Sequence, residues 1–224
     1  EGKSTYNFIR KYLPEKQLTI GDKNNVILDD ANVSFDCGED YLAHLGNYDL
    51  VFKSPGIPFV GVRYPETTEI TCQTDMFLRF ADCKVVGITG TKGKTTTSTL
   101  IFRMLSEAGF NTSLIGNMGV PVFEEITMPA DSVAVIEMSS HQLEFTKGSP
   151  DVAVILNIDE DHMEYFKTLD NLIASFRKFA SLVPENGGCV AVNADDPNAM
   201  CAVKGLAREI MTFGVENTAD VRAE

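Results

Sequence analysis

The residues best able to do chemistry stand in one run, Val85-Val86-Gly87-Ile88-Thr89-Gly90-Thr91-Lys92-Gly93-Lys94-Thr95, followed by Thr96-Thr97-Ser98-Thr99-Leu100. A buried-strand pattern feeds a glycine-rich turn that opens a helix. Glycines let successive N–H groups curl around an anion, the helix N-terminus adds partial positive charge, Lys94 supplies a full one, and the Thr95 hydroxyl suits Mg2+. These are the parts of a nucleoside-triphosphate site. We read ATP as the ligand, with Gly90, Thr91, Lys92, Gly93, Lys94, Thr95 and Thr96 around its phosphates. The spacing is tighter than G-x-x-x-x-G-K-[ST], because the residue five before Gly93 is Ile88. A Gly-rich turn that binds nothing is the bland alternative, and Gly-Lys-Thr between a strand and a helix argues against it.

Two further segments follow strand-like runs, where an open parallel sheet gathers its ligand-binding loops. In Val135-Ile136-Glu137-Met138-Ser139-Ser140-His141-Gln142-Leu143-Glu144 the carboxylate of Glu137 emerges from an otherwise apolar strand, so a cation partner is expected. In Ile155-Leu156-Asn157-Ile158-Asp159-Glu160-Asp161-His162-Met163, His162 is able to bind a metal or polarise a phosphate or carbonyl. A lone Glu or His is more often an ordinary surface or core residue. Their shared position beside a phosphate loop reverses that prior. Asp161 has at most a minor orienting role, and Met163, Tyr165 and Phe166 read as packing residues.

The elements that must hold these groups alternate between β-branched runs and amphipathic stretches, which argues for an α/β fold with a parallel sheet. A short helix is expected over residues 4–13, stopped by Pro14, then strands at 17–20, 25–28 and 49–53 with a short helix near 40–45. The turn Ser54-Pro55-Gly56-Ile57-Pro58 follows. Beyond a Pro/Thr/Glu-rich connection come a helix near 73–81 and strands at 84–89, 113–116, 132–138, 151–157, 188–193 and 209–215. Helices fill 94–108, a segment after Ser139, 169–182 and 196–206. The stripe Leu169, Leu172, Ile173, Phe176, Phe179, Ala180 reads as core-facing. Asn193-Ala194-Asp195-Asp196-Pro197 reads as a strand-to-helix turn with Asp195 or Asp196 capping. A domain boundary falls within residues 64–84, giving domains 1–70 and 71–224.

With 224 residues, 44% of them hydrophobic and 23% charged, the chain is long enough and apolar enough for a folded core. Its formal charge of −13 argues against nucleic-acid or anionic-membrane partners, so any phosphate must be held by directed local groups. The five cysteines are odd in number and never in a C-x-x-C pair, which points to reduced thiols in a cytoplasmic protein. The longest apolar runs are of strand length. The first residue is Glu1 and the last strand-like run lies close to Glu224, so the chain is expected to be a piece of something longer.

At the motif residues the chain resembles the Mur ligase family, ATP-dependent amide-bond ligases of peptidoglycan precursor synthesis, themselves similar to folylpolyglutamate synthetases. Gly90 to Thr95 looks like the family's short phosphate loop, Gly116-Asn117-Met118-Gly119 its G-N-x-G turn, Glu137-Met138-Ser139-Ser140 its glutamate strand, and Asn157 through His162 its N-x-x-x-D-H segment. Ser139-Ser140-x-Gln142-Leu143 and Phe52-Lys53-Ser54-Pro55-Gly56-Ile57 look most like the member that adds D-glutamate to UDP-N-acetylmuramoyl-L-alanine.

The resemblance implies an N-terminal Rossmann-like domain followed by a P-loop-type parallel-sheet ATPase domain, both incomplete, in a monomer. It implies an acyl-phosphate mechanism: Lys94 stabilises the transferring phosphoryl group, Thr95 and Glu137 hold Mg2+, and His162 helps bind a second metal or the reacting groups. Asn117 contacts substrate, Ser139 and Gln142 line the muramoyl-peptide region, and Ser54, Pro55 and Gly56 cradle the UDP part, with Asp22 and Lys23 as weaker candidates. Three departures stand out: only Glu1-Gly2-Lys3-Ser4 remains of a UDP loop, adenine-gripping residues and a C-terminal domain are missing, and Phe176 falls near the place of the family's carbamylated lysine, with Lys178 two residues on. By that likeness the piece alone lacks the whole reaction. Another ligase of the family, adding L-alanine, a dibasic amino acid or glutamates to folate, and a non-catalytic nucleotide-binding module are the alternatives.

Overall fold

The computed structural model describes residues 1–59, 61–116 and 120–223. The chain divides into two compact units, Glu1–Thr71 and Cys72–Glu224.

In the first unit, helix α1 (Gly2–Tyr12) precedes strands β1 (Leu18–Asp22) and β2 (Val33–Cys37), which pair in parallel. Arg10 Nε and Tyr6 Oη donate to Asp30 Oδ2 at 2.5 and 2.7 Å, and Asn32 N–H donates to Asp30 Oδ1 at 2.8 Å. The Arg10 guanidinium leads the groups that pull the Asp30 carboxyl down to about 2. A second parallel pair joins β3 (Leu50–Phe52) to β4 (Glu69–Thr71). Two expectations fail here. Residues 25–28 form no strand, and Ile27 is 97% exposed; without a neighbouring strand to bond, an apolar triplet has no ladder to join. Residues 40–45 form turns, and only Leu45–Asn47 make a single 3-10 turn.

The second unit is built on a seven-stranded sheet. Helix α2 (Gln73–Phe80) leads to β5 (Lys84–Thr89), then α3 (Lys94–Glu107), β6 (Thr112–Gly116), β7 (Val133–Glu137), α4 (Ser140–Phe145), β8 (Val152–Ile155), α5 (Met163–Phe166), α6 (Leu169–Leu182), β9 (Cys189–Asn193), α7 (Pro197–Val203), β10 (Glu209–Gly214) and β11 (Val221–Arg222). The strand order is β11-β10-β9-β8-β5-β7-β6, with every pair parallel. Parallel strands covered on both faces bury their side chains almost continuously, which is why their apolar runs are so plain.

One face carries the larger core, in which Leu172, Phe176, Phe179 and Ala180 of α6 meet residues of α2, α4 and α7. Gly87 makes room for it: an added Cβ would lie 2.8 Å from the Phe179 ring. Ile101, Phe102 and Leu105 of α3 pack on the other face against Ile88, Val135, Val154 and Leu156. The connections leaving the neighbours β5 and β8 therefore run to opposite faces, the position at which open parallel sheets bind their ligands.

The predicted α6 stripe is the one observed, and Phe166 is buried with Met163 and Tyr165 packed against the same core. Asp196 caps α7 by accepting from Ala199 N–H at 2.7 Å. All five cysteines are free thiols. Among the described residues no helix is long and apolar enough to cross a membrane.

Candidate functional site

The phosphate loop leaves β5 at Gly90, whose φ of +151° belongs to glycine and whose missing Cβ would stand 2.9 Å from Leu156 Cβ. Gly93, at φ +83°, is the N-cap of α3 and offers no side-chain cap, and the first turn holds no acidic residue. The N-terminal amides and the positive end of a 14-residue helix therefore face the loop. Lys94 Nζ folds back to donate to Gly90 O at 2.8 Å and Thr91 O at 3.0 Å. Lys92 and Thr96 are exposed.

Glu137 closes β7 opposite Ile88 and Gly116, and is only 4% exposed. Among the described residues the one polar partner of its carboxylate is Thr95, whose Oγ1 donates to Oε2 at 2.8 Å. A buried carboxylate with a single hydroxyl donor keeps most of its lone pairs for a cation. Lys94, Thr95 and Glu137 are thus brought to one place by the β5–β7 register and the first turn of α3.

His162 is held differently. It takes φ +53°, its N–H donates to Asp161 Oδ1 at 2.9 Å, and its ring nitrogens stand 3.6 Å from Asp161 Oδ2 and 3.8 Å from Glu164 Oε1. The ring meets His141 edge-to-face, centroids 4.5 Å apart, and His141 in turn meets Tyr165 at 4.7 Å. None of these contacts reaches Thr95 or Glu137. Among the described residues no three His, Cys, Asp or Glu side chains converge as a metal cage.

Ser139 and Gln142 form the capping box of α4. Gln142 Oε1 accepts from Ser139 N–H at 2.8 Å and from Ser139 Oγ at 3.0 Å, while the buried Nε2 donates to Thr74 Oγ1 at 3.0 Å. Their polar groups are thereby engaged inside the protein. Asn117 lies outside the described residues. In the first unit, Ser54 and Pro55 are half-buried and Gly56 exposed in the turn after β3, with Ser54 O accepting from Ile57 N–H at 3.1 Å. Asp22 Oδ1 accepts from Asn24 N–H, and Lys23 pairs with Glu39. Phe176 belongs to the core, and Lys178 Nζ donates to Glu144 O; burial pushes its ammonium pKa down against the pull of Asp75 and Glu144.

A different group emerges from the fold itself. Asn157, just after β8, accepts from Lys92 N–H through Oδ1 at 2.8 Å, donates through Nδ2 to Lys92 O at 3.0 Å, and accepts from Thr91 N–H through its own carbonyl at 2.9 Å. Thr91 Oγ1 accepts from Asp159 N–H at 3.0 Å and lies 3.3 Å from Asp159 O, to which it donates. The sequence marks Asn157 only as the first residue of the N-x-x-x-D-H segment, with no role assigned to its side chain.

The family model for the Mur ligase middle domain matches residues 88–224. The chain belongs to the Mur ligase family. It is 34% identical over 170 residues to the UDP-N-acetylmuramoylalanine--D-glutamate ligase of Clostridium acetobutylicum, covering 74% of this chain and 37% of that protein. It is 39% identical over 146 residues to the protein of the same name from Ruminiclostridium cellulolyticum, covering 63% and 31%. The chain thus spans less than two fifths of the length of these curated Mur ligases. In fold it is similar to MurF from Acinetobacter baumannii, at 19% identity and TM-score 0.55 over 92% of this chain and 40% of that one. It is likewise similar to the MurF ligase from Thermotoga maritima solved in complex with ADP, at 19% identity and TM-score 0.52 over 95% and 45%.

Proposed function

We propose that this Mur ligase chain carries the ATP-phosphate site of a cytoplasmic, monomeric carboxylate–amine ligase that adds D-glutamate to UDP-N-acetylmuramoyl-L-alanine. The observation that carries the reading is the Thr95 Oγ1 to Glu137 Oε2 contact of 2.8 Å, set beside Lys94 at an uncapped helix N-terminus. The D-glutamate ligase name of its curated relatives supports the choice of amino acid.

The donor set fits Mg2+: a hydroxyl and a buried carboxylate are hard oxygen ligands, and this ion commonly completes its shell with water and phosphate oxygens. Thr95 and Glu137 would hold it, and when bound it neutralises charge on the phosphates. The loop amides of Gly90 to Thr96 orient the triphosphate, and the Lys94 ammonium stabilises charge on the moving phosphoryl group. The substrate carboxylate takes the γ-phosphoryl group and ADP departs. The amine of D-glutamate then attacks the acyl carbon, losing a proton, and phosphate leaves as the amide forms. His162 helps hold the reacting groups or a second metal. Asn117, Ser139 and Gln142 contribute to the substrate side, and Ser54, Pro55 and Gly56 to the UDP moiety.

Calorimetric titration with ATP and Mg2+ tests the phosphate site. Lys94→Ala is expected to weaken binding by about 10- to 150-fold, the worth of a charged hydrogen bond of about 1.5–3 kcal/mol, without lowering the melting temperature. Equal affinity for the variant rejects the role. Phosphate release by the full-length protein with L-alanine and not D-glutamate would overturn the substrate choice.

A further inference from the structure

The loops leaving β5 and β8 are joined by a clasp that the ATP reading does not explain. Five hydrogen bonds join residues 91–92 to residues 157–159: Thr91 N–H to Asn157 O, Lys92 N–H to Asn157 Oδ1, Asn157 Nδ2 to Lys92 O, Asp159 N–H to Thr91 Oγ1, and Thr91 Oγ1 to Asp159 O. Gly90 adds a close backbone approach, since any Cβ there would also stand 3.3 Å from Asn157 N and O. The far side of the same segment is anchored in turn. Asn198 Nδ2 donates to Ile158 O at 2.8 Å, and Ile158 N–H donates to Asp196 Oδ2 at 3.4 Å.

This arrangement has a consequence for an anion-binding loop. Backbone amides hold a phosphate only if their directions are fixed before it arrives; otherwise ordering the loop costs affinity. In most of the loop, regular secondary structure does not fix the backbone, because residues 90–93 lie between β5 and α3. Asn157 binds both the N–H and the C=O of Lys92, as a paired strand would, and so sets the orientation of the peptide groups on either side of that residue. Lys94 cannot do this work alone, because its ammonium is tied to carbonyls of the same loop.

We propose that Asn157 is a positioning residue that preorganises the phosphate loop, with the Thr91 hydroxyl as its second anchor. It acts through Lys92 and Thr91 and not by touching the nucleotide. The inference rests on the ATP reading above and deepens it. It also links the loop to the start of the stretch that carries Asp161 and His162.

The test is titration of the wild-type chain, Asn157→Ala, Thr91→Val and Thr91→Ser with ATP and Mg2+, alongside melting curves. Asn157→Ala and Thr91→Val are expected to weaken ATP by about tenfold each, and Thr91→Ser, which restores the hydroxyl, to recover most of that loss. A purely structural role would leave the serine rescue of affinity unexplained. Equal affinity for wild type and Asn157→Ala overturns the positioning role while leaving the ATP reading intact. Failure of the wild type itself to bind ATP removes both. Where Asn157→Ala melts much lower, the Thr91 pair decides: Thr91→Val as tight as Thr91→Ser overturns the proposal.

Discussion

Replacing Gly90 by Ala measures how tightly the phosphate loop is seated. Two costs add at this position. The backbone at φ +151° is one that a residue with a Cβ adopts only under strain, of about 1–3 kcal/mol. The new methyl would lie 2.9 Å from Leu156 Cβ, an atom fixed to the backbone and unable to swing away, so overpacking adds about 1–3 kcal/mol. The sum is about 2–6 kcal/mol, a large share of an ordinary domain's stability of about 5–15 kcal/mol. Gly93→Ala is the matched control. Its φ of +83° carries strain of about 1–2 kcal/mol, but its nearest neighbour, Leu156 Cδ1, is 3.6 Å away, an ordinary contact. Melting followed by far-UV circular dichroism suits a chain with no Trp. At about 2–4 °C per kcal/mol, Gly90→Ala should lower the melting temperature by about 4–24 °C and Gly93→Ala by about 2–8 °C. Equal losses in the two variants, or a loss below about 2 °C for Gly90→Ala, would refute the steric argument.

Two further outcomes are expected. Among the described residues Thr89 Oγ1 is buried without a hydrogen-bond partner, so Thr89→Val, which keeps the shape, should stabilise the protein by about 1 kcal/mol, seen as a rise of about 2–4 °C in melting temperature. The Asp195 carboxylate accepts from the N–H groups of Val215, Glu216 and Asn217, and these bonds hold its pKa below the ordinary Asp value. A lowered folded pKa means stability that is present above about pH 4 and lost as the pH falls through the depressed value. Asp195→Asn should therefore be less stable than wild type at pH 7, and urea midpoints of the two should converge as the pH is taken down through the acid range.

The sheet was legible in the sequence because a buried parallel strand needs little beyond an apolar run, as at Val85–Thr89 and Val152–Ile155. The first unit was less so. Its β2 strand, Val33–Cys37, carries Ser34 and Asp36 and stays half exposed, whereas the more apolar Val26-Ile27-Leu28 finds no neighbouring strand. Lys94, Thr95 and Glu137 were identifiable by residue type at strand ends. The pairing of Ser139 with Gln142 fits the S-x-x-Q cap signature, which is readable from the sequence beside the substrate-side role that the resemblance implies. The clasp was out of reach: Lys92 and Asn157 are 65 residues apart, and only the adjacency of β5 and β8 makes them neighbours.

The strand-end loops and the turn of α5 are held by different physics. The loops that leave β5, β8, β9 and β10 are laced each to the next by amide and carboxylate side chains: Asn157 to residues 91–92, Asp196 and Asn198 to Ile158, and Asp195 to residues 215–217. Peptide groups so fixed suit an anion whose shape does not change. By contrast, α5 is a single turn flanked by two non-glycine residues of positive φ, His162 at +53° and Lys167 at +69°. Each such residue costs about 1–3 kcal/mol and persists only where its surroundings insist on it. Here they do: Asp161 takes the His162 N–H, Lys167 Nζ donates to Glu164 O at 2.6 Å, Asn171 Nδ2 donates to Phe166 O at 2.8 Å, and Phe166 is buried. Strain thus concentrates at the histidine to which the proposed reaction assigns the reacting groups. It is also the histidine whose ring meets His141 and lies within 3.8 Å of the Asp161 and Glu164 carboxylates.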